Sequence, residues 1–380
     1  MKQAKLRKWI LSFFALTLIV LLLLSAAAYA IDPFFQFRVR DHSYILNGWL
    51  VGSGLIENYD YDTLILGSSM TQNFDMDDFR DRLGVKPLHV GLGGIELAEI
   101  DRLINLAYEA PHADQFFVCV DLSHFTNDAG ESRYPEHLLK KDLLSRLRYL
   151  LSYEVWFRYI PVDVGLMALD RLGVQLPAKF EYSRSIDRLE DWRLDFPETG
   201  KQVVLDNYIH GRYSVSEVDT ASLYERMTAH IDAYLQVFRF EKGRHVFFFP
   251  PYSSLYWCDA QESGYYDAFL RAKRYFVEQA AQYGAEIYDF QSADLTLNLD
   301  NYKDTTHFLP VVNSWMVACF ASGEYLVSED NYLMYQEKLN ENTNSFRDMY
   351  AYLFSASSDF SRCVTADSGG QPALLPGSAR

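Results

Sequence analysis

Gly67-Ser68-Ser69 near the start of the chain and Asp304-Thr305-Thr306-His307 near its end are the residues whose types and spacing could do chemistry. Thr63-Leu64-Ile65-Leu66 is a short apolar run that reads as a buried strand, and the Gly-Ser-Ser after it reads as a tight turn. Such a turn sets Ser69 at the carboxyl edge of the sheet, where open α/β folds hold their ligands. Asp304 and His307 are three residues apart, close enough for the carboxylate to hold the imidazole Nδ1–H while Nε2 faces a serine hydroxyl. A serine hydroxyl is a poor nucleophile until a base removes its proton. Ser69, His307 and Asp304 are therefore a candidate nucleophile, base and orienter. A Gly-Ser-Ser alone is usually only a turn and an Asp-x-x-His alone usually a capped loop, so the reading rests on both motifs occurring together.

His89, His124 and His245 lie near predicted strand ends and are rival bases. His89 and His245 have no Asp three residues earlier. His124 does, in Asp121-Leu122-Ser123-His124, and is the competing dyad.

The elements that must position these side chains follow from apolar periodicity. Strands are expected at 62–66, 86–90, 115–120, 245–249 and 285–289. Helices are expected at 75–83, 95–110, 217–240 and 262–283, with another from Pro310 onward. Strands separated by helices imply an α/β fold with a mostly parallel five-stranded sheet covered on both faces, spanning 61–325. The alternation breaks over 131–216, where helical runs at 137–152 and 154–171 precede a polar aromatic stretch. This reads as a helical insertion that caps or borders the site, with packing ornament as the alternative. Residues 31–60 form an aromatic connector, 326–363 a C-terminal helical extension, and 364–380 a loose tail rich in small residues.

Residues 1–30 carry a second signal. Trp9 to Ala30 is uncharged and rich in Leu, Ile, Phe and Ala, about the ~20 residues that span a bilayer. Lys2, Lys5, Arg7 and Lys8 precede it, so the positive-inside rule leaves the amino terminus in the cytoplasm and exports the body. Ala28-Tyr29-Ala30 also resembles a signal-peptide cleavage site, but the apolar run exceeds the usual ~7–15 residue signal core, which favours a retained single-pass anchor in the cell membrane.

A net charge of -16 argues against nucleic acid, which needs a basic face to displace counterions. Four scattered cysteines form no metal-ligand or redox spacing, so no metal and no cofactor are assigned. Aromatics at 16% suit either a ring-rich core or a groove that stacks sugars, and composition favours the core.

In these motifs the chain resembles the GDSL-like, or SGNH, hydrolase superfamily, whose three-layer, flavodoxin-like fold the expected sheet would match. The resemblance covers roughly 60–130 and 244–325 and leaves the insertion unexplained. It places Ser69 at the nucleophile position, with Ser68 where the middle Asp usually stands. It matches Asp304 and His307 to the Asp-x-x-His before the last helix. It also matches Gly94, in Gly91-Leu92-Gly93-Gly94, to the glycine whose N–H binds the oxyanion, with Gly93 a second register. The family's Gly-x-Asn-Asp after the third strand is absent, and Ser123 or Asn127 are the substitutes available. Loss of one oxyanion donor can cost ~10²–10³ in rate.

With its anchor and insertion the chain is similar to proteins of cell-envelope acylation, such as those of teichoic-acid D-alanylation and alginate O-acetylation. The resemblance implies an exported serine esterase or O-acyltransferase acting on a cell-surface polysaccharide or teichoic acid through an acyl-serine. It also implies a multi-spanning membrane O-acyltransferase as partner. The alternative is a non-catalytic scaffold or glycan-binding protein that keeps the fold.

Overall fold

Five short apolar runs become parallel strands: β1 (Thr63–Gly67), β2 (Pro87–Gly91), β3 (Gln115–Cys119), β4 (Arg244–Phe249) and β5 (Glu286–Asp289). They are nearly continuous in hydrophobicity because both faces of the sheet are covered. The computed structural model describes residues 2–40, 44–45, 47–126, 132–177, 199–211 and 219–355. With a sixth strand, β6 (Leu326–Val327), the order is β2-β1-β3-β4-β5-β6, so β1 pairs with both β2 and β3 and the order reverses there. That reversal opens a crevice at the carboxyl ends of β1 and β3.

The sheet has six strands rather than the five expected. β6 (Leu326–Val327) is a two-residue strand antiparallel to β5, too short to leave any period in the sequence. The helix expected at 262–283 forms as Tyr266–Ala281, and an additional helix, Ser254–Glu262, precedes it where none was expected, the two parted at Gly264 with φ 77°.

Register partners on parallel strands share a face, and the aromatics sort accordingly. Phe117 and Phe248 face helices Met76–Leu83 and Pro310–Ser322, where Phe117 meets Phe79 at 5.7 Å and Phe320 at 5.0 Å. Phe116 and Phe247 face the opposite layer, meeting Tyr108 of helix Leu97–Glu109 at 5.0 Å and Phe276 of helix Tyr266–Ala281 at 5.3 Å. Dense aromatics thus supply the core of a sheet sandwiched between two helical layers.

The N-terminal helix runs Lys2–Ile31, and its stretch Lys5–Ile31 is long and apolar enough to cross a membrane, with residues 5–23 all exposed. Its end is tied into the body. Asp32, with φ 44°, accepts the backbone N–H groups of Gln36, Phe37 and Arg38 at 2.8–3.0 Å and the Tyr149 hydroxyl at 2.9 Å. Within 31–60, helix Gly48–Asn58 packs against helix Leu97–Glu109 and β2.

The described parts of 131–216 go to different places. Helices Leu143–Leu150 and Ile160–Arg171 pack at the exit of the N-terminal helix. Helix Lys201–Gly211 sits beside residues 299–302, where Gly200 N–H donates to Tyr302 O at 2.9 Å.

Candidate active site

The serine turn is built on two glycines. Ser68 caps the 3-10 turn Ser69–Thr71, its Oγ accepting Met70 N–H at 3.3 Å, while Thr71 Oγ1 donates back to Ser68 O at 2.9 Å. That folds Thr71 onto the ends of β1 and β2. A Cβ on Gly67 would lie 2.5 Å from Thr71 Cγ2 and 2.6 Å from Cys119 Cβ, and one on Gly91 would lie 2.8 Å from Thr71 Oγ1. Only glycine leaves room for so close an approach. From the far side, buried Asn313 of helix Pro310–Ser322 donates to Met70 O at 3.1 Å and fixes the turn. Ser69 is left half-buried, with a face toward solvent.

The histidine loop is equally constrained. An antiparallel bridge joins Tyr302 and Phe308, and Lys303 N–H donates to His307 O at 3.0 Å. Residues leaving β4 hold it in place: Ser253 donates its N–H and Oγ–H to Thr305 O at 3.0 and 2.7 Å, and Tyr302 OH donates to Pro251 O at 2.8 Å.

Within this loop Asp304 Oδ1 accepts the backbone N–H groups of Thr306 and His307 at 2.9 and 2.8 Å. Its Oδ2 lies 2.8 Å from His307 Nδ1, and His307 Nε2 lies 2.8 Å from Ser69 Oγ. Burial pushes the Asp304 carboxyl up, but the hydrogen bond and charge of His307, with the two backbone N–H groups, outweigh it and bring the pKa down to about 2. Asp304 is therefore an ionised, acceptor-only group. The proton between it and His307 must sit on Nδ1, which leaves Nε2 as the acceptor for the Ser69 hydroxyl.

The rival histidines lie elsewhere. His124 Nε2 is 3.7 Å from Asp121 Oδ2, too far for a hydrogen bond. Asp121 instead receives the hydroxyls of Ser68 and Tyr252, tying together the loops after β1, β3 and β4 beneath the serine turn. Burial lowers His89 and His245 to about 4. His89 Nε2 pairs with Thr71 Oγ1 at 3.1 Å and His245 Nε2 with Tyr108 OH at 2.6 Å, so both rings serve packing.

Among the oxyanion candidates, Gly94 is exposed at φ 67°, a conformation that favours glycine, and its carbonyl accepts from the Arg133 guanidinium. Arg133 is held in turn by Glu99, which accepts its backbone N–H at 2.6 Å, and by the Trp49 ring 4.7 Å away. Ser123 is exposed on the 3-10 turn Leu122–Phe125, and its carbonyl accepts from Thr126. Asn127 lies outside the described residues. Among the described residues no group of three His, Cys, Asp or Glu could hold a metal.

Sequence reasoning missed the supports. Asp121 ends an apolar strand, Tyr252 follows Pro250-Pro251, and Asn313 interrupts an apolar helix; a lone polar residue in such a place is the signal that could have found each. No protein-family model and no curated protein sequence matches the chain.

Proposed function

We propose that the chain is an exported, membrane-anchored serine acyl-transfer enzyme of SGNH type. The single observation that carries this is the unbroken relay from Ser69 Oγ through His307 to Asp304, with 2.8 Å at each step.

His307 Nε2 takes the Ser69 proton as Oγ attacks an acyl carbon, and the imidazolium that forms is stabilised by Asp304. The tetrahedral intermediate collapses when His307 returns the proton to the leaving oxygen, leaving an acyl-serine. A second hydroxyl, from water or from a polymer, then gives up its proton to His307 and attacks the acyl carbon, releasing Ser69. Backbone N–H groups of Ser69 and Gly94 are the proposed donors to the oxyanion, with Ser123 and Asn127 as candidates for a third.

The acceptor proposed is a hydroxyl of a cell-surface polysaccharide or teichoic acid, with a membrane-bound O-acyltransferase as the source of acyl groups. An export signal or anchor at the amino terminus supports an extracytoplasmic site.

The test is acyl-enzyme trapping. The full chain in detergent is exposed to a short activated acetyl ester and its intact mass measured. An acetyl adduct on Ser69 that is absent from Ser69→Ala supports the reading. Equal turnover by Ser69→Ala would dismiss the nucleophile. Glycan acceptors added to the trapped enzyme then separate a transferase from an esterase.

A further inference from the structure

Two helices beside the exit of the N-terminal helix turn an unusual surface outward. On Leu143–Leu150, Ser145 and Tyr149 face the body, while Leu143 and Leu144 are 75% and 77% exposed and Leu147 and Leu151 continue their face. On the next helical stretch, Val155, Ile160 and Asp163 face inward. Tyr153, Phe157, Pro161, Val164, Ala168 and Leu172 follow one another outward at spacings of three and four, with Phe157 71% and Leu172 79% exposed. An ordinary soluble surface helix shows the opposite pattern, with its apolar stripe inside.

This face continues directly from the span. Phe34, three residues past Ile31, meets Tyr149 at 5.7 Å and Tyr159 at 4.9 Å, one ring from each helical stretch. Tyr149 also donates to the buried Asp32 carboxylate, and the Arg40–Asp163 ion pair at 2.8 Å and the Tyr44–Asp170 hydrogen bond at 2.7 Å clamp the second helix to the same junction. Ala28, in the last turn of the N-terminal helix, is itself buried. Exposed Arg148, Arg158 and Arg171 border the stripe, alongside exposed Glu154 and Asp142. Apolar side chains with aromatic rings and arginines at their edge are the composition of a helix lying in a bilayer interface.

We propose that helix Leu143–Leu150 and the helical stretch 153–172 form a seat immersed in the outer interface of the bilayer crossed by Lys5–Ile31. The inference rests on the reading of that helix as a membrane span. Lipid is the occupant because a body whose span leaves the bilayer within a few residues of this face has acyl chains within reach before any partner arrives. A body held at two places cannot swing about Ile31, so the serine turn keeps one orientation to the membrane.

Depth quenching tests this in the full chain. Cys363→Ser is combined in turn with Leu18→Cys, Leu144→Cys, Phe157→Cys, Leu172→Cys or Gln282→Cys; Cys119, Cys258 and Cys319 are buried. Each protein carries an environment-sensitive fluorophore and is reconstituted in phosphatidylcholine–phosphatidylglycerol vesicles, with or without nitroxide-labelled lipids. Circular dichroism checks that each remains folded. Shallow nitroxides should quench the labels at 144, 157 and 172 about twofold or more and leave the control at 282 unchanged, while deep nitroxides quench the label at 18. Quenching at 18 without quenching at 144, 157 and 172 overturns the seat and leaves the face to a protein partner. No quenching at 18 overturns the span itself. Equal quenching at 282 marks indiscriminate adsorption and overturns the seat as well.

Discussion

Asp304→Asn should silence the relay without disturbing the fold, because the loop dictates which way the new amide points. Oδ1 accepts two backbone N–H groups, at 2.9 and 2.8 Å, while Oδ2 faces His307 Nδ1. If the amide oxygen stays with the backbone donors, its NH₂ points at Nδ1, and His307 must carry its proton on Nε2. That nitrogen then faces Ser69 as a donor and cannot accept the hydroxyl proton. The opposite flip restores the useful tautomer but sets NH₂ against two N–H groups, losing two hydrogen bonds at about 1–1.5 kcal/mol each. The wrong tautomer is therefore favoured by about 2–3 kcal/mol, or about 10²-fold. Loss of the charge-assisted bond that steadies the imidazolium removes a further ~2–3 kcal/mol. Together the turnover number should fall about 10⁴-fold. Initial rates of acetyl-ester hydrolysis, set beside thermal melts of the same samples, measure this. A folded Asp304→Asn protein that keeps its rate within about tenfold of the parent would refute the tautomer argument.

Three further outcomes follow from the packing and the buried charges. Gly67→Ala forces a methyl into Thr71 and Cys119, so it should cost about 1–3 kcal/mol in urea unfolding, with partial recovery on adding Thr71→Ser. Lys273, fully buried, bonds Asp289 at 2.7 Å and Gln291 at 3.1 Å. Lys273→Met strands the carboxylate and should cost about 3–5 kcal/mol, whereas Lys273→Met with Asp289→Asn should cost clearly less; equal losses in urea melts would argue against a charge penalty. Burial keeps His89 and His245 neutral in the fold until about pH 4, while in the unfolded chain they protonate near the ordinary histidine value of 6.5. Stability should thus be complete above pH 6.5 and fall toward pH 4, by roughly 3 kcal/mol per histidine, and His89→Phe should flatten that slope. Asp304 acts lower: its contribution, complete above its unfolded value of 3.8, is lost only as pH drops through about 2, so it sets no limit on activity at milder pH.

Much of the sheet was legible because each strand is a short apolar run closed by Gly, Asp or Pro. The five parallel strands lie within a residue or so of the expected ranges. β6 was not, since two residues cannot show a period, and its pairing is decided by the return of the chain after Gly323. The helix Ser254–Glu262 was hidden because Pro250-Pro251 and Ser253-Ser254 read as the exit of a strand, and only Ser253, whose Oγ accepts Tyr256 N–H, marks its start. The supports of the site were also hidden. Asp121, Tyr252, Ser253 and Asn313 act over separations that no local spacing records.

What the residues determined alone is local: an apolar N-terminal helix, a run of buried strands, a Gly-Ser-Ser turn and an Asp-x-x-His loop. Backbone sterics and the burial of apolar side chains act over a few residues, so a reader of the chain can recover them. What tertiary structure decided is convergence. Ser69 and His307 meet at 2.8 Å only because β1, β3 and β4 end at one edge, and because Thr71, Asp121 and Asn313 pull their loops into register there. Hydrogen bonds between remote segments are specified by the packing that delivers both partners, and that information is spread over the whole fold.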